Sequence, residues 1–181
     1  MDISLLLGGF GGQGVQTIGK LLTYGCNEAG KYVTFYPQYG GAMRGGASNC
    51  TVVCSDEEIA SPARFKCDYV IAMSIPALQI FRGRIAPGGT LVINSSVITE
   101  VPEIKDVNVI AIPANQIAEE CGSLKVLNVV MVGFFAEMSG MVPTDIMKNV
   151  VMEKMGKKKQ YLEMNNKAFD MGVEFAKAQK K

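Results

Sequence analysis

Ile3-Ser4-Leu5-Leu6-Leu7 runs into Gly8-Gly9-Phe10-Gly11-Gly12-Gln13-Gly14, and beyond it Val15, Ile18, Leu22, Cys26 and Ala29 recur in steps of three and four. The short apolar run reads as a buried strand, 3–7. The seven-residue segment reads as a glycine loop. The three-four periodicity predicts a helix over 13–29 with one apolar face, and Gly30 is a candidate to close it. Tyr32 to Tyr36 reads as a second strand, ended by Pro37. Strand, glycine turn, helix and strand form a crossover unit. A crossover of that length implies parallel strands and a sheet covered on both faces.

The rest of the chain extends this unit. A second glycine-rich segment, Gly40 to Gly46, precedes Ala47 to Cys54, where small and β-branched residues alternate as in a strand. It follows without a helical crossover, which suits an antiparallel strand. Asp68 to Met73 reads as a strand, with Ser74 as N-cap of a helix reaching Phe81. Pro87-Gly88-Gly89 turns into a strand over 90–94, and 107–112 is the last strand. After Pro113 the pattern is helical: 114–120, a helix over 124–138 apolar nearly all round, 143–155, and a last helix. Tyr161, Met164, Ala168, Met171 and Phe175 form the apolar face of that last helix, beyond a break at Lys157 to Lys159. The expected fold is α/β: a three-layer, Rossmann-like domain with a mostly parallel, mixed central sheet and C-terminal helices. At 181 residues, 1–181 is expected to be one domain.

Composition narrows the chemistry. Apolar residues make up 48 % and charged residues 19 %, as in a folded globular chain. Eighteen Lys and Arg against seventeen Asp and Glu leave +1, so no charge excess points to nucleic acid or to a membrane surface. There is no histidine. That excludes Ser-His-Asp and Cys-His triads, HExxH metalloenzymes and His-ligated metal sites, and removes the side chain that most readily moves protons near pH 7. Carboxylates occur as adjacent pairs, Glu57-Glu58 and Glu119-Glu120, whose members point in different directions. No catalytic residue and no metal ligand is assigned. The five cysteines, Cys26, Cys50, Cys54, Cys67 and Cys121, contain no CxxC pair and read as reduced thiols packed like small hydrophobes. Alternation puts Cys50 and Cys54 on one face of their strand. The first residues have no basic n-region, and the longest apolar stretch, 126–136, is about half of a ~20-residue span, so a cytoplasmic location is expected. Eight of the eleven methionines lie at or beyond Met131, in core or contact surface.

The two glycine segments are the candidate binding elements. Gly9, Gly11 and Gly14 satisfy GxGxxG between a strand and a helix, the context in which glycines admit close backbone approach and a helix N-terminus attracts an anion. No acid ends the second strand (Thr34-Phe35-Tyr36-Pro37-Gln38), which argues against a ribose contact and against NAD or FAD. The remaining readings are a ligand-free tight turn, a site for an anionic group of another ligand, and a loop packed on a partner chain. A P-loop over Gly14 to Lys20 fails, because Leu21 replaces the hydroxyl that would hold magnesium. In the second segment Tyr39-Gly40-Gly41-Ala42-Met43-Arg44-Gly45-Gly46-Ala47-Ser48, one arginine stands among four glycines. Arg44 offers a planar fork to phosphate or carboxylate, or forms an internal salt bridge. Both segments leave carboxyl ends of strands and are expected at one edge of the sheet.

These residues carry a family resemblance. Gly9-Phe-Gly-Gly-Gln-Gly-Val15, Tyr39-Gly40, Met43-Arg44-Gly45-Gly46-Ala47-Ser48 and Ile59-x-Ser-Pro62 occur in order. So do Asp68 to Met73, Pro87 to Leu91, Asn128 and Gly133, Asn166-x-Ala-Phe169 and Gly172. The whole resembles the gamma subunit of the 2-oxoacid:ferredoxin oxidoreductases. The resemblance implies a non-catalytic subunit of an enzyme that oxidatively decarboxylates a 2-oxoacid, with 2-oxoglutarate favoured, to an acyl-CoA and passes electrons to ferredoxin. It implies alpha and beta partners, with delta as a further one, and a homodimer as one possible arrangement. Thiamine diphosphate, magnesium and iron–sulfur clusters are implied for the complex, with coenzyme A as substrate. The residues it places on the coenzyme A side or on a subunit contact are Gly9, Gly11, Gly12, Gln13, Gly14, Tyr39, Gly40, Arg44, Gly45 and Gly46. The alternative, from the residues alone, is a stand-alone Rossmann-like nucleotide-binding module.

Overall fold

Leu5, Leu6 and Leu7 lie in the strand β1(Asp2–Phe10), and all three are fully or almost fully buried. The computed structural model describes residues 1–39, 47–156 and 159–180, with backbone alone for 39, 47, 159 and 160. Six strands form one sheet in the order β2-β3-β1-β4-β5-β6. The others are β2(Tyr32–Tyr39), β3(Ala47–Ser55), β4(Cys67–Ala72), β5(Ile85–Asn94) and β6(Asn108–Ile112). β3 is antiparallel to both β1 and β2, while β4, β5 and β6 continue parallel from β1. The sheet is therefore mixed and mostly parallel, with β3 alone reversed.

Several boundaries differ from the sequence reading, each for a physical reason. β1 does not stop at Leu7. It continues through Gly8, Gly9 and Phe10, because these backbones pair with Asn49, Ser48 and Ala47. β2 passes through Pro37 to Tyr39; it is an edge strand, where a missing N–H is tolerated. β1 and β2 run in the same direction as expected, but they are not neighbours, since β3 is inserted between them. β5 begins at Ile85 and contains Pro87-Gly88-Gly89, beside a register shift between Cys67 and Tyr69.

The two faces are unequally covered. Leu5, Leu7, Cys50, Val52, Cys54, Ile71, Met73 and Val92 face the main core, against α1(Val15–Glu28), α3(Ala114–Glu120), α4(Leu127–Ser139), α5(Thr144–Met155) and α6(Lys159–Gln179). Leu6, Val70, Ala72, Leu91 and Ile93 face a smaller cluster closed by Ala77 and Phe81 of α2(Ile75–Phe81) and by Ile98. The 124–138 segment starts as a 3-10 turn, Leu124–Val126, before α4, whose residues from Asn128 to Ala136 are all buried. The buried stripe of α6 is rotated from the expected one: Asn165, Ala168, Phe169, Val173 and Ala176 are buried, while Tyr161, Met164, Met171 and Phe175 are half-buried. The cause is close approach to α4. A Cβ on Gly133 would strike the Phe169 carbonyl oxygen, and one on Gly172 the Val130 carbonyl oxygen. Backbone thus meets backbone where the two helices cross, and that contact sets the rotation of α6. Of the Lys157 to Lys159 break, Lys157 and Lys158 lie outside the described residues, and α6 begins at Lys159.

Candidate functional site

The turn between β1 and α1 is built around Gly9 and Gln13. A Cβ on Gly9 would stand 2.7 Å from Gln13 Oε1, 2.8 Å from Val15 Cγ2 and 3.1 Å from Met73 Cβ, so only glycine leaves room for the Gln13 side chain. Gln13 Oε1 accepts the Phe10 N–H at 2.8 Å, and its Nε2 donates to the Met73 carbonyl at 2.9 Å. Gln13 therefore braces the turn against the end of β4. Gly12 and Gly14 have φ of +100° and +76°, which side chains rarely adopt. Gly11 precedes them in the same turn.

This turn stands where the connections diverge. α1 follows β1 onto the crowded face, and α2 follows the adjacent parallel strand β4 onto the other. Such a switch point opens a crevice at the carboxyl ends of the strands, the usual ligand position in open α/β sheets. Ser74 begins α2 there, its hydroxyl accepting the Ala77 N–H at 3.3 Å. The first backbone bond of α1 is Ile18 N–H to the Gly14 carbonyl, 2.9 Å, which leaves the N–H groups of Val15, Gln16 and Thr17 without an intrahelical partner. Gly14 as N-cap supplies no side chain, and the first turn of α1 holds no acid. The local field at this helix end therefore favours an anion.

The strands that flank the second glycine segment meet at the same edge. β1 and β2 both end there, with Phe10 opposite Ala47 and Tyr39 opposite Ser48. Gly40, Arg44, Gly45 and Gly46 lie outside the described residues, as does the Tyr39 side chain. The described flank is tied to the first turn of α1: Gln16 Nε2 donates to Ser48 Oγ at 3.0 Å and to the Asn49 carbonyl at 2.9 Å. Sequence reading missed Gln16, because an amide in a helix carries no motif until its partner strand is placed beside it. It also gave Asn128 no role. Asn128 lies in the first turn of α4, and a Cβ on Gly14 would stand 3.2 Å from Asn128 Cβ.

The donor sets tell against two other chemistries. A dinucleotide fold places its second strand beside the first, so that an acid at its end reaches the ribose. Here β3 occupies that place, and β2, one strand further out, ends Pro37-Gln38-Tyr39. All five cysteines are free and buried, and among the described residues no three or more His, Cys, Asp or Glu gather as metal ligands. The residues described therefore do not fit a metal or an iron–sulfur cluster. Cys50 and Cys54 share the helix-covered face, as expected. Burial pushes the Cys50 thiol up to about 12, and a hydrogen bond with Cys54 together with burial raises Cys26. Cys26 and Cys50 are therefore packed thiols, not nucleophiles. Elsewhere, a cavity of about 430 Å³ runs along α2, lined in part by Leu78, Arg82, Ile98 and Glu100. Among the described residues no helix is long and apolar enough to cross a membrane.

Known proteins share this architecture. Over 97 % of its length the chain is 31 % identical to ketoisovalerate oxidoreductase subunit VorA of Methanothermobacter thermautotrophicus, but it spans only 37 % of that protein. It is 32 % identical to 2-oxoglutarate synthase subunit KorC of Methanocaldococcus jannaschii, covering 98 % of this chain and 95 % of the relative. The solved gamma subunit of a keto/oxoacid ferredoxin oxidoreductase from Geobacter sulfurreducens superposes with a TM-score of 0.83 at 27 % identity, covering 97 % and 99 % of the two chains. The 2-oxoglutarate:ferredoxin oxidoreductase of Magnetococcus marinus, solved with 2-oxoglutarate, coenzyme A and succinyl-CoA, superposes with a TM-score of 0.90 at 27 % identity. That match covers 98 % of this chain and 31 % of the other. The family model described as pyruvate ferredoxin/flavodoxin oxidoreductase matches residues 4–175, with the braced glycine turn at its start and the α4–α6 crossing toward its end, and the chain belongs to that family.

Proposed function

We propose that this chain is the gamma component of a 2-oxoacid:ferredoxin oxidoreductase, that 2-oxoglutarate is its acid, and that its glycine edge lies on the coenzyme A side of the assembly. The observation that carries the reading is the uncapped, acid-free first turn of α1 at the switch point, in a chain of this family. The substrate assignment follows a relative that is 32 % identical and is covered over 95 % of its length. Thiamine diphosphate, magnesium and iron–sulfur clusters belong, on this reading, to the alpha, beta or delta chains, and ferredoxin is reached through them. Thiamine diphosphate supplies the decarboxylation chemistry when bound; this chain contributes backbone amides and, from the second glycine segment, Arg44.

The surface supports a component of an assembly. Phe65 is 78 % exposed and Ile80 59 %, and Tyr32, Tyr36, Ile75 and Val101 are exposed as well. Of these, Ile75 and Val101 line the cavity along α2, and a contiguous apolar patch is what marks a contact surface. Capture of the tagged chain from its native cells should recover thiamine-dependent alpha and beta chains. The reading fails if the chain elutes alone and the oxidoreductase is active without it. Within the assembly, Arg44→Ala should raise the KM for coenzyme A by the equivalent of about 1.5–3 kcal/mol, the worth of a charge-assisted bond, with kcat retained. An unchanged KM would make the second segment a subunit contact only.

A further inference from the structure

We infer that the exposed knuckle formed by residues 64–66 and 82–84 docks a partner chain of the oxidoreductase, with Phe65 as apolar anchor and carboxylates of the partner facing the cations around it. This rests on the reading that the chain is a component of that assembly. It adds the surface that is covered and the chemistry of what covers it.

The two segments belong to different connections. Residues 56–66 link β3 to β4 and contain Ile59-x-Ser61-Pro62, a motif to which the glycine edge gives no role. Arg82–Arg84 is a 3-10 turn between α2 and β5. Arg84 joins the segments: its Nε donates to the Phe65 carbonyl and its Nη2 to the Arg64 carbonyl. Lys66 Nζ donates back to the Gly83 carbonyl. The Arg84 guanidinium also lies 5.4 Å from the centre of the Phe65 ring. Before the clamp, Ser61 Oγ accepts the Ala63 N–H at 3.3 Å. The backbone is thus fixed, although residues 60–63 are all exposed.

Folding of the chain does not account for Phe65. The clamp uses its carbonyl, which every residue type has, and leaves the side chain 78 % exposed, the most open large apolar group among the described residues. A cation–π contact at an exposed site is worth little. A rigid aromatic left in water is unfavourable in the chain alone and suited to an interface, where a pre-fixed anchor loses little freedom on binding.

Charge selects the partner. Arg64, Lys66, Arg82 and Arg84 stand together in a chain whose net charge is only +1. Among the described residues, Arg64 alone of the four has a carboxylate within ion-pair distance, Asp2 at 3.3 Å. Asp68, next along β4, accepts from the Ser4 N–H and hydroxyl. The carbonyls that hold Arg84 and Lys66 neutralise no charge. Fixed cations around an aromatic ring match carboxylates around an apolar recess. Arg82 also lines the cavity along α2 with Ile75 and Val101, which continues the surface. The knuckle stands at the amino ends of β4 and β5, so a chain seated on it leaves the glycine edge open.

The test co-expresses a tagged variant with the untagged wild-type chain in the native cells and reads their ratio in the purified oxidoreductase by mass spectrometry. Phe65→Ser removes the anchor and keeps the clamp. Arg82→Glu reverses an exposed cation outside the clamp, and Arg82→Lys keeps its charge. Phe65→Ser and Arg82→Glu should each be depleted about 10-fold or more in the assembly, with the thermal midpoint of the chain unchanged. Arg82→Lys should be incorporated like the wild type. Equal incorporation of all three variants overturns the inference and leaves the gamma reading standing. Depletion of Phe65→Ser without depletion of Arg82→Glu overturns the acidic partner. If the variants are incorporated normally but raise the KM for ferredoxin, or abolish a dimer of this chain, the knuckle serves the acceptor or a second copy, and the subunit contact is overturned. If the wild-type chain enters no oxidoreductase, the gamma reading itself falls, and this inference with it.

Discussion

Gln13 shows how a single residue sets the site. A glutamine after two glycines looks like a ligand contact in the sequence. In the fold its two amide ends are taken by the Phe10 N–H and the Met73 carbonyl. It holds the β1–α1 turn, from which α1 starts, against the end of β4. Gln13→Ala removes two hydrogen bonds, each worth about 0.5–1.5 kcal/mol, and should lower the unfolding free energy by about 1–3 kcal/mol in urea titration. A loss below ~0.5 kcal/mol would show that the turn holds without its brace. Gly9 was legible as essential to a turn. That its absent side chain makes room for Gln13 was not legible, because the contact is made four residues on, by a side chain bonded to Met73 just beyond β4.

At the scale of elements, the decisive contact is the crossing of α4 and α6. Gly133 and Gly172 were visible in the sequence as part of the family resemblance and as isolated glycines in helices, where each costs about 1 kcal/mol relative to alanine. The structure pairs them with the carbonyls of Phe169 and Val130. Gly172→Ala gains that propensity but places a methyl against backbone that cannot rotate away, and overpacking typically costs about 1–3 kcal/mol. The clash should win, giving a net loss measured by thermal or urea unfolding. Gly83→Ala is the control, since nothing lies within 4 Å of a Cβ there, and it should be neutral or slightly stabilising. Equal behaviour of the two variants would remove the crossing as the reason for these glycines. The rotated stripe of α6 has the same origin: periodicity counts apolar residues, whereas the closest approach is decided by small ones.

For the molecule as a whole, the edge opposite the site is tied by charge. Asp56, just after β3, accepts from Lys31 Nζ at 2.8 Å, at the start of β2. The Lys31 hydrogen bond holds the Asp56 carboxyl down to about 2. Because the folded value lies below the unfolded one of about 3.9, this contribution is complete above pH ~4 and is lost as the pH falls through about 2. Both groups reach solvent, so the effect is modest and screened by salt. Urea midpoints between pH 2 and 6 should fall less steeply for Asp56→Asn than for the wild type, and the difference should shrink in 1 M salt. Identical slopes would show that the pair contributes nothing to acid stability.

The sequence by itself determined the elements and their kind. An apolar run, glycines, and a three-four stripe dictate strand, turn and helix through local sterics and the burial of one face. The lack of histidine and of clustered cysteines excluded whole chemistries. The tertiary structure alone decided what stands beside what. It inserted β3 between β1 and β2, because the strand after the second glycine segment pairs with both neighbours at once. It set Gln16 against Ser48 and Asn49, and Asn128 against Gly14. Such contacts join residues that are distant along the chain through backbone groups common to every residue type. No local pattern encodes them, and they arise only when the buried faces of the sheet and helices are brought together.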